Sequence, residues 1–443
     1  MHDLIILGAG PGGYVAAERA AAAGLKTLLI EKTHLGGVCL NSGCIPTKTL
    51  LNAAKTYAHA LESESIGVSV QGAAFHLDKA MAWKAKVVET LQKGIAAMMK
   101  RGGVEVVQGE GRLVKPGMVR VGTTDYTAQS IIIATGSSSV VPPIAGVKNP
   151  NVVTSTQLLN ISALPKKLLI VGGGIIGMEF ASFFSMLGVQ VTVVEMMDEI
   201  IPVLDREFAA ALRKALPGVS FELGAKVEEF TGAGVVYSRG GTKITSDADL
   251  ILLSIGRRPN TAGMGFEEAG LELTKTGLKT DECMCTNLPG VYAVGDITGR
   301  SLLAHSASRM GEIAVNAILG KKDHWRGNAI PWVVFSTPEV AGCGMTEAEA
   351  VSRGYEVATA KVPMRVSGRY LAEHPRENGL CKVVVEKQGG RILGVNILGS
   401  GCSEIIAGAA LMIESELRVQ DVKQIVFPHP TVSEVIREAL FEI

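Results

Sequence analysis

The sequence has no surplus of charge of either sign: 43 Lys and Arg balance 43 Asp and Glu across 443 residues. Without a basic excess there is no electrostatic footprint for nucleic acid or for an anionic membrane, and neither is expected as a partner. The chain also lacks any apolar run approaching the roughly 18 residues needed to cross a bilayer. Its first apolar stretch, Leu4 to Leu7, begins almost at Met1 and leaves no room for a basic leader, a transit peptide or a cleavage site, so a cytosolic (cytoplasmic) protein is expected. Cysteines are few, odd in number at seven, and scattered, which excludes the paired framework of a small secreted protein. In a reducing compartment a disulfide is more often catalytic than structural. Cys283, Cys285, Cys343, Cys381 and Cys402 read as small buried residues.

The remaining two cysteines stand in Gly36-Gly37-Val38-Cys39-Leu40-Asn41-Ser42-Gly43-Cys44-Ile45-Pro46-Thr47-Lys48. Residues i and i+5 on a straight helix point about 140° apart, whereas a disulfide needs Cα atoms within roughly 7 Å and converging Cβ vectors. A redox-active pair here therefore requires a distorted or partly helical backbone, which Gly43 and Pro46 suit. Cys44 would then lie near a helix N-terminus, where the dipole favours a thiolate, with the positive Lys48 one turn further on. From spacing alone, two structural cysteines in a glycine-rich loop fit equally well.

The rest of the chain bears on that choice. Leu4 to Gly13 reads as an apolar strand followed by Gly8-x-Gly10-x-Gly12-Gly13, then an alanine-rich helix from Tyr14 to Ala23, then a strand from Thr27 that finishes at Glu31. This is a dinucleotide-binding fingerprint in context: a tight turn, backbone close to a pyrophosphate at a helix N-terminus, and an acid about 20 residues on for a ribose hydroxyl. The unit recurs 164 residues later as Gly172, Gly174, Gly177, Gly188 and Glu195. Each unit returns through a buried strand to a glycine, at Ala134-Thr135-Gly136 and at Ser254-Ile255-Gly256, though glycines there also serve as ordinary punctuation. Length implies roughly three domains. Val141 to Asn151 reads as a linker, and from Pro331 onward strands (382–386, 392–398) alternate with helices (403–417, 431–441) in a segment without a phosphate loop.

Thiols exchange by nucleophilic attack and nicotinamide exchanges only hydride, while a flavin does both. A dithiol with two dinucleotide sites therefore points to FAD and a nicotinamide. FAD is expected on the first fingerprint, because the cysteine loop follows its second strand directly. Around Glu195 the run Val194-Glu195-Met196-Met197-Asp198-Glu199 has no Arg or Lys until Arg206. A 2′-phosphate placed there would meet several carboxylates, at an order of a few kcal/mol per close pair, so NAD is expected over NADP. For a base, the sequence offers His429 between Pro428 and Pro430, with Glu434 to orient it. Thr431 and Glu434 also read as a capping box for a last helix starting near Thr431.

Taken together, the cysteine motif, Ala134-Thr135-Gly136, Ile255-Gly256-Arg257-Arg258-Pro259, Gly290 to Asp296, Leu303-Ala304-His305 and His429 to Glu434 give the chain an end-to-end resemblance to the pyridine nucleotide-disulfide oxidoreductases. The resemblance implies an α/β fold with two Rossmann-like domains for FAD (residues 1–143) and NAD (144–262). It adds a central domain completing the FAD site (263–330) and a C-terminal αβ dimerisation domain (331–443). It also implies that Cys39 exchanges with substrate, that Cys44 faces the flavin, and that Lys48 pairs with Glu179 beside it. Gly37, Val38, Thr135, Gly136, Asp296 and Ala304 would lie at FAD, with Gly111 a weaker carry-over, and Gly256 at the cofactors. A homodimer follows, in which His429 and Glu434 enter the partner's site, and the substrate is a dihydrolipoyl group on a lipoylated protein of a 2-oxo acid dehydrogenase complex or a glycine cleavage system. Related disulfide or mercuric reductases are the alternatives within the family, although Cys402 stands alone near the C-terminus where a mercuric reductase has a pair. A non-catalytic docking subunit is the alternative outside it.

Overall fold

A computed structural model describes residues 1–443. The chain forms two units, one from Met1–Leu50, Asp78–Val140 and Gly256–Arg326, the other from Leu51–Leu77, Val141–Ile255 and Gly327–Ile443.

The first unit is built on a parallel run of strands in the spatial order Glu105–Gln108, Thr27–Glu31, His2–Leu7, Thr124–Ile133 and Val291–Ala293. Apolar side chains alternate between its two faces, and both are covered, as expected of a parallel sheet. Leu4, Ile6, Leu29 and Ile132 pack on one side with helices Pro11–Ala22 and Ala304–Ile318, while Ile5, Leu7, Leu28, Ile131 and Ile133 pack on the other with Leu113 and Val119. The two helices cross closely: a Cβ on Gly311 would lie 2.6 Å from the carbonyl oxygen of Gly12. The long strand Thr124–Ile133 also continues into an antiparallel meander with Met118–Val121 and Gly111–Lys115.

In the second unit, strands Val219–Glu222, Gln190–Val194, Lys167–Val171 and Leu250–Leu253 repeat the parallel order of the first four, and the edge strand Val152–Thr154 comes from before them in the chain rather than after. Leu4 pairs with Thr27 in the first sheet and Leu168 with Val191 in the second, so the 164-residue repeat holds at the level of strand register. A five-stranded antiparallel sheet follows, in the order Trp332–Val334, Val340–Gly344, Ile392–Leu398, Leu380–Glu386 and Val357–Pro363. Helices Cys402–Glu414 and Glu434–Phe441 bury Ile406, Ala409, Val435, Ala439 and Leu440 against it.

Several element ends differ from expectation. The first helix begins at Pro11, because proline is pre-organised for a first helical turn and the fingerprint glycines are part of that turn. The penultimate long helix stops at Glu414, before Glu416 at a left-handed φ of 55°. The last helix starts at Glu434 rather than Thr431, with Ser433 as its N-cap, while the Thr431 N–H donates to Glu434 from the turn that precedes it. No helix is long and apolar enough to cross a membrane.

Candidate active site

The first fingerprint turn is closed by contacts only glycine permits. Gly8 has φ 99°, and a Cβ there would lie 2.4 Å from Ala134 O; a Cβ on Gly13 would lie 1.8 Å from Gly8 O. The second turn repeats this, with Gly172 against Ser254 O at 2.6 Å and Gly177 against Gly172 O at 2.1 Å. The acids repeat as well. Glu31 accepts the Ala9 N–H at 2.8 Å on one oxygen and the Thr33 N–H at 2.8 Å on the other; Glu195 accepts those of Gly173 at 2.6 Å and Met197 at 2.7 Å. Each carboxylate is thus fixed at the end of its second strand, above the helix N-terminus. A Cβ on Gly174 would meet nothing within 4 Å, so the helix starting at Ile175 presents its first N–H groups to open space, as a pyrophosphate requires. The donors, the acids and the open approach fit two dinucleotides.

The cysteine loop is built directly on the first of these turns. Gly36 donates its N–H to Ala9 O at 2.8 Å, and Gly37, at φ 60°, is so close that a Cβ would lie 2.6 Å from the Cα of Gly10. A short helix Gly37–Ser42 carries Cys39; Gly43 breaks it at φ −144°, ψ −109°; a second helix Cys44–Glu62 then begins at the other cysteine. This broken helix is the distortion the i, i+5 spacing demanded. The Thr47 hydroxyl and N–H both donate to Gly43 O, at 2.6 and 3.1 Å, and hold the break. Both cysteines are of intermediate exposure, and no disulfide joins them. The Cys39 thiol is pushed far above its ordinary range, first by its hydrogen bond to Cys44, then by burial and by the charge Cys44 carries, with Lys48 opposing.

Two groups near the thiols were not singled out in the sequence. Tyr14, on the fingerprint helix, has its hydroxyl pushed up by burial and then by Cys39. Arg257 donates from Nε to Ser137 Oγ at 2.8 Å and from a terminal nitrogen to Ser137 O at 2.6 Å, while Ser137 Oγ donates to Asp296. Burial lowers the Arg257 guanidinium from its ordinary value, and the charges of Asp296 and Cys44 oppose that. The quoted motifs around Arg257 and Asp296 were the available signal, but their meeting depends on the antiparallel pairing of Arg257–Pro259 with Ser137–Ser139. Asp296 lies in a 3₁₀ turn, Gly295–Thr298, and does not cap the helix that begins at Ala304.

Other expected residues fall as follows. Thr135 and Asn260 exchange hydrogen bonds, Asn260 Nδ2 to Thr135 O at 2.8 Å and Thr135 Oγ1 to Asn260 O at 3.2 Å, beside Gly136 at φ 68°. Gly111 packs under the sheet, where a Cβ would lie 2.6 Å from Leu7. Val38 is exposed, and Gly256 has φ 118° with open space around it. Glu179 is buried on the helix Ile175–Met186 and accepts the Phe335 N–H at 3.1 Å.

The acidic run after Glu195 does not stand without cationic partners. Arg206 folds back onto Asp198, and Arg213 grips Glu199 through two bonds of 2.8 and 2.9 Å. Two of the three carboxylates therefore have cationic partners, while Glu195 is held by the Gly173 and Met197 N–H groups. At the far end of the chain, His429 Nδ1 lies 2.9 Å from Glu434 Oε1, and Glu434 Oε2 accepts the Thr431 N–H at 2.8 Å. The imidazole side chain is 78% exposed.

Comparison with known proteins agrees with this geometry. The profile of the pyridine nucleotide-disulphide oxidoreductases matches residues 2–311, and that of their dimerisation domain matches 330–440. The chain is 39% identical to a dihydrolipoyl dehydrogenase of Geobacillus stearothermophilus over 99% of this chain and 95% of the relative. It is 41% identical to one of Thermus scotoductus over 99% and 96%. Among solved structures, the HOCl-induced flavoprotein disulfide reductase RclA of Escherichia coli, as its Cu(II) complex, superposes with a TM-score of 0.89 at 28% identity, covering 100% of this chain and 99% of that one. The repeated glycine turns, the thiol pair seated on the first of them and this full-length similarity have one common explanation: the chain belongs to the pyridine nucleotide-disulphide oxidoreductase family.

Proposed function

We propose that this chain is a dihydrolipoyl dehydrogenase, oxidising protein-bound dihydrolipoamide to lipoamide with FAD and NAD as cofactors. The observation that carries the reading is the seating of Gly37 on Gly10, which puts the hydrogen-bonded Cys39 and Cys44 thiols directly beside a dinucleotide turn.

In this reading the oxidised enzyme holds a Cys39–Cys44 disulfide. His429, polarised by Glu434, takes a proton from the first substrate thiol, and the thiolate attacks Cys39. Cys44 leaves as a thiolate at the N-terminus of the helix Cys44–Glu62, where the helix dipole and Lys48 favour its charge. The second substrate thiol then attacks the substrate sulfur bound to Cys39 and closes the lipoamide ring, its proton passing to the departing Cys39. Two thiols have then been oxidised and one disulfide reduced, while His429 keeps the first proton. FAD, when bound, takes the electron pair from the dithiol and passes it to NAD as hydride.

The reading assigns Gly8, Gly10, Gly12, Gly13, Glu31, Arg257, Ser137 and Asp296 to FAD, with Lys48 and Glu179 on the flavin side, and Gly172, Gly174, Gly177 and Glu195 to NAD. Its working form is a homodimer in which the exposed His429 and its Glu434 serve the partner subunit's thiols. The partner protein carries a lipoyl group, and the location is cytoplasmic.

Anaerobic addition of dihydrolipoamide to the purified holoenzyme tests this. Bleaching of the flavin, reversed by NAD, is expected. A flavin that stays oxidised with dihydrolipoamide but is bleached by glutathione would move the assignment to another disulfide reductase.

A further inference from the structure

Asp205 stands immediately before the helix Arg206–Lys214, where an aspartate ordinarily turns its carboxylate onto the helix's own first N–H groups. It makes no such bond. Its Oδ2 accepts instead from Lys382 Nζ at 3.0 Å, and the same ammonium lies 3.2 Å from Glu207 and 2.8 Å from Glu347. Lys382 is buried on the strand Leu380–Glu386. Opposite it on the strand Val357–Pro363, Lys361 adds a second bond to Glu207 at 2.6 Å. The five-stranded sheet thus grips the first turn of a helix that belongs, in chain order, to the segment after Glu195.

That helix holds the segment in turn. Arg206 bonds Asp198, Arg213 grips Glu199, and Glu199 Oε1 also accepts the Ile200 N–H at 2.9 Å. The next N–H, of Ile201, donates to Gly173 O at 3.0 Å, and a Cβ on Gly173 would lie 2.9 Å from Ile200. Gly173 sits inside the second fingerprint turn, and its own N–H goes to Glu195. Ile200 and Ile201 are buried, and Ile201 has a left-handed φ of 49°. A β-branched residue keeps that conformation only where its surroundings hold it there. The bonds therefore run without a gap from Lys382, through Asp205 and the helix, to the turn and the acid assigned to the coenzyme.

Stability alone does not account for this arrangement. Asp205 could cap its own helix, and an apolar side chain in place of a buried ammonium is often neutral or better. What the directed bonds add is a fixed place for the helix start. We propose that Lys382 is a positioning residue for coenzyme binding. By holding Asp205 and Glu207 it keeps the 196–205 segment seated, and with it the Gly173 turn and Glu195 in the geometry that receives the adenosine half of NAD. The proposal rests on the assignment of Gly172, Gly174, Gly177 and Glu195 to NAD.

Calorimetric titration of ADP-ribose into the oxidised, flavin-loaded enzyme reads the site without turnover. Lys382→Met is expected to weaken binding about tenfold, and Lys382→Arg to recover most of the loss. Asp205→Asn removes the partner charge, provides a second variant should the first fold poorly, and is expected to weaken binding in the same direction. Tyr370→Phe breaks a buried bond of 2.8 Å to Glu377 elsewhere in the unit and is expected to leave the affinity unchanged. In steady state the change in Lys382→Met is expected in KM for NAD and not in kcat or in KM for dihydrolipoamide. Unchanged ADP-ribose affinity in Lys382→Met and Asp205→Asn overturns the proposal, as does a loss that Tyr370→Phe matches. Unaltered enzyme that binds no ADP-ribose would overturn the coenzyme assignment and the proposal together. A flavin that dihydrolipoamide fails to bleach would overturn the substrate alone, since the titration needs none.

Discussion

Glu434 divides its two oxygens between His429 Nδ1 at 2.9 Å and the Thr431 N–H at 2.8 Å. One carboxylate therefore fixes the backbone ahead of the last helix and sets which ring nitrogen carries the proton. With Nδ1–H donating to Glu434, Nε2 is left as the acceptor, which is the tautomer a base needs. The Glu434 carboxyl is held below its ordinary range, first by the Thr431 N–H and then by His429. Glu434→Gln can still accept from Thr431, but its amide then donates to Nδ1 and forces the proton onto Nε2. Dihydrolipoamide oxidation is expected to fall by about 10²-fold or more. NADH oxidation by ferricyanide, which needs no substrate thiol deprotonated, is expected to be unchanged. Equal loss in both assays would reject the role of base for His429.

Gly37→Ala tests the seating of the thiol loop. Its φ of 60° costs a residue with a side chain about 1–2 kcal/mol, and the added Cβ would meet the Gly10 Cα at 2.6 Å. Because the Cβ is fixed directly to its own backbone and the atom it meets is backbone, neither can swing away. The variant is expected to fold but to lose much of its flavin on gel filtration, measured as the flavin-to-protein ratio. Full retention would mean that the two loops are free to separate.

The architecture was legible where it rests on local backbone rules. Gly8, Gly13, Gly172 and Gly177 sit where a Cβ would strike a carbonyl oxygen, and such positions leave a spacing in the chain that can be matched by eye. The Gly43 break was legible for a similar reason, since two cysteines five apart cannot meet on a regular helix. The Arg257, Ser137 and Asp296 cluster was not, because three residues more than a hundred apart at their extremes meet only through a short antiparallel pairing. The fate of the acidic run was hidden for the same reason: Arg213 lies fourteen residues beyond Glu199 and reaches it only when the helix Arg206–Lys214 folds back.

That pairing changes what coenzyme selection rests on. With Asp198 paired to Arg206 and Glu199 to Arg213, Glu195→Gln is expected to remove most of the discrimination against NADP. Loss of the charged acceptor for the ribose hydroxyls is expected to raise KM for NAD about tenfold, or roughly 1.4 kcal/mol. Asp198→Asn is expected to release Arg206 and lower KM for NADP by no more than about fivefold, as befits an exposed pair worth up to ~1 kcal/mol. Steady-state kinetics with both coenzymes checks each variant, and an unchanged NADP preference in Glu195→Gln would place selection elsewhere.

The last prediction concerns Lys382 within the second unit. Its ammonium lies 2.8 Å from Glu347, 3.0 Å from Asp205 and 3.2 Å from Glu207, and Lys361 joins Glu207 at 2.6 Å. Burial opposes charge on Lys382, yet the hydrogen bonds to Glu347, Asp205 and Glu207 outweigh it and hold the ammonium above its ordinary range. Burial likewise opposes charge on Glu207, and the bonds from Lys361 and Lys382 hold its carboxyl below its ordinary 4.5. The raised lysine contributes in full below its ordinary 10.5 and is lost only as pH rises through its folded value. The depressed carboxyl contributes in full above 4.5 and is lost as pH falls through its folded value. Lys382→Met should therefore lower the unfolding free energy at neutral pH by about 2 kcal/mol. That is less than the 3–5 of a fully buried pair, because Glu207 and Glu347 are partly solvated. The deficit should shrink as pH drops below 4.5, where protonation relieves the uncompensated carboxylates. Urea unfolding of both proteins at pH 7 and pH 4 measures the difference, and a deficit that stays constant between them would mean that packing of the lysine stem, not its charge, holds this contact.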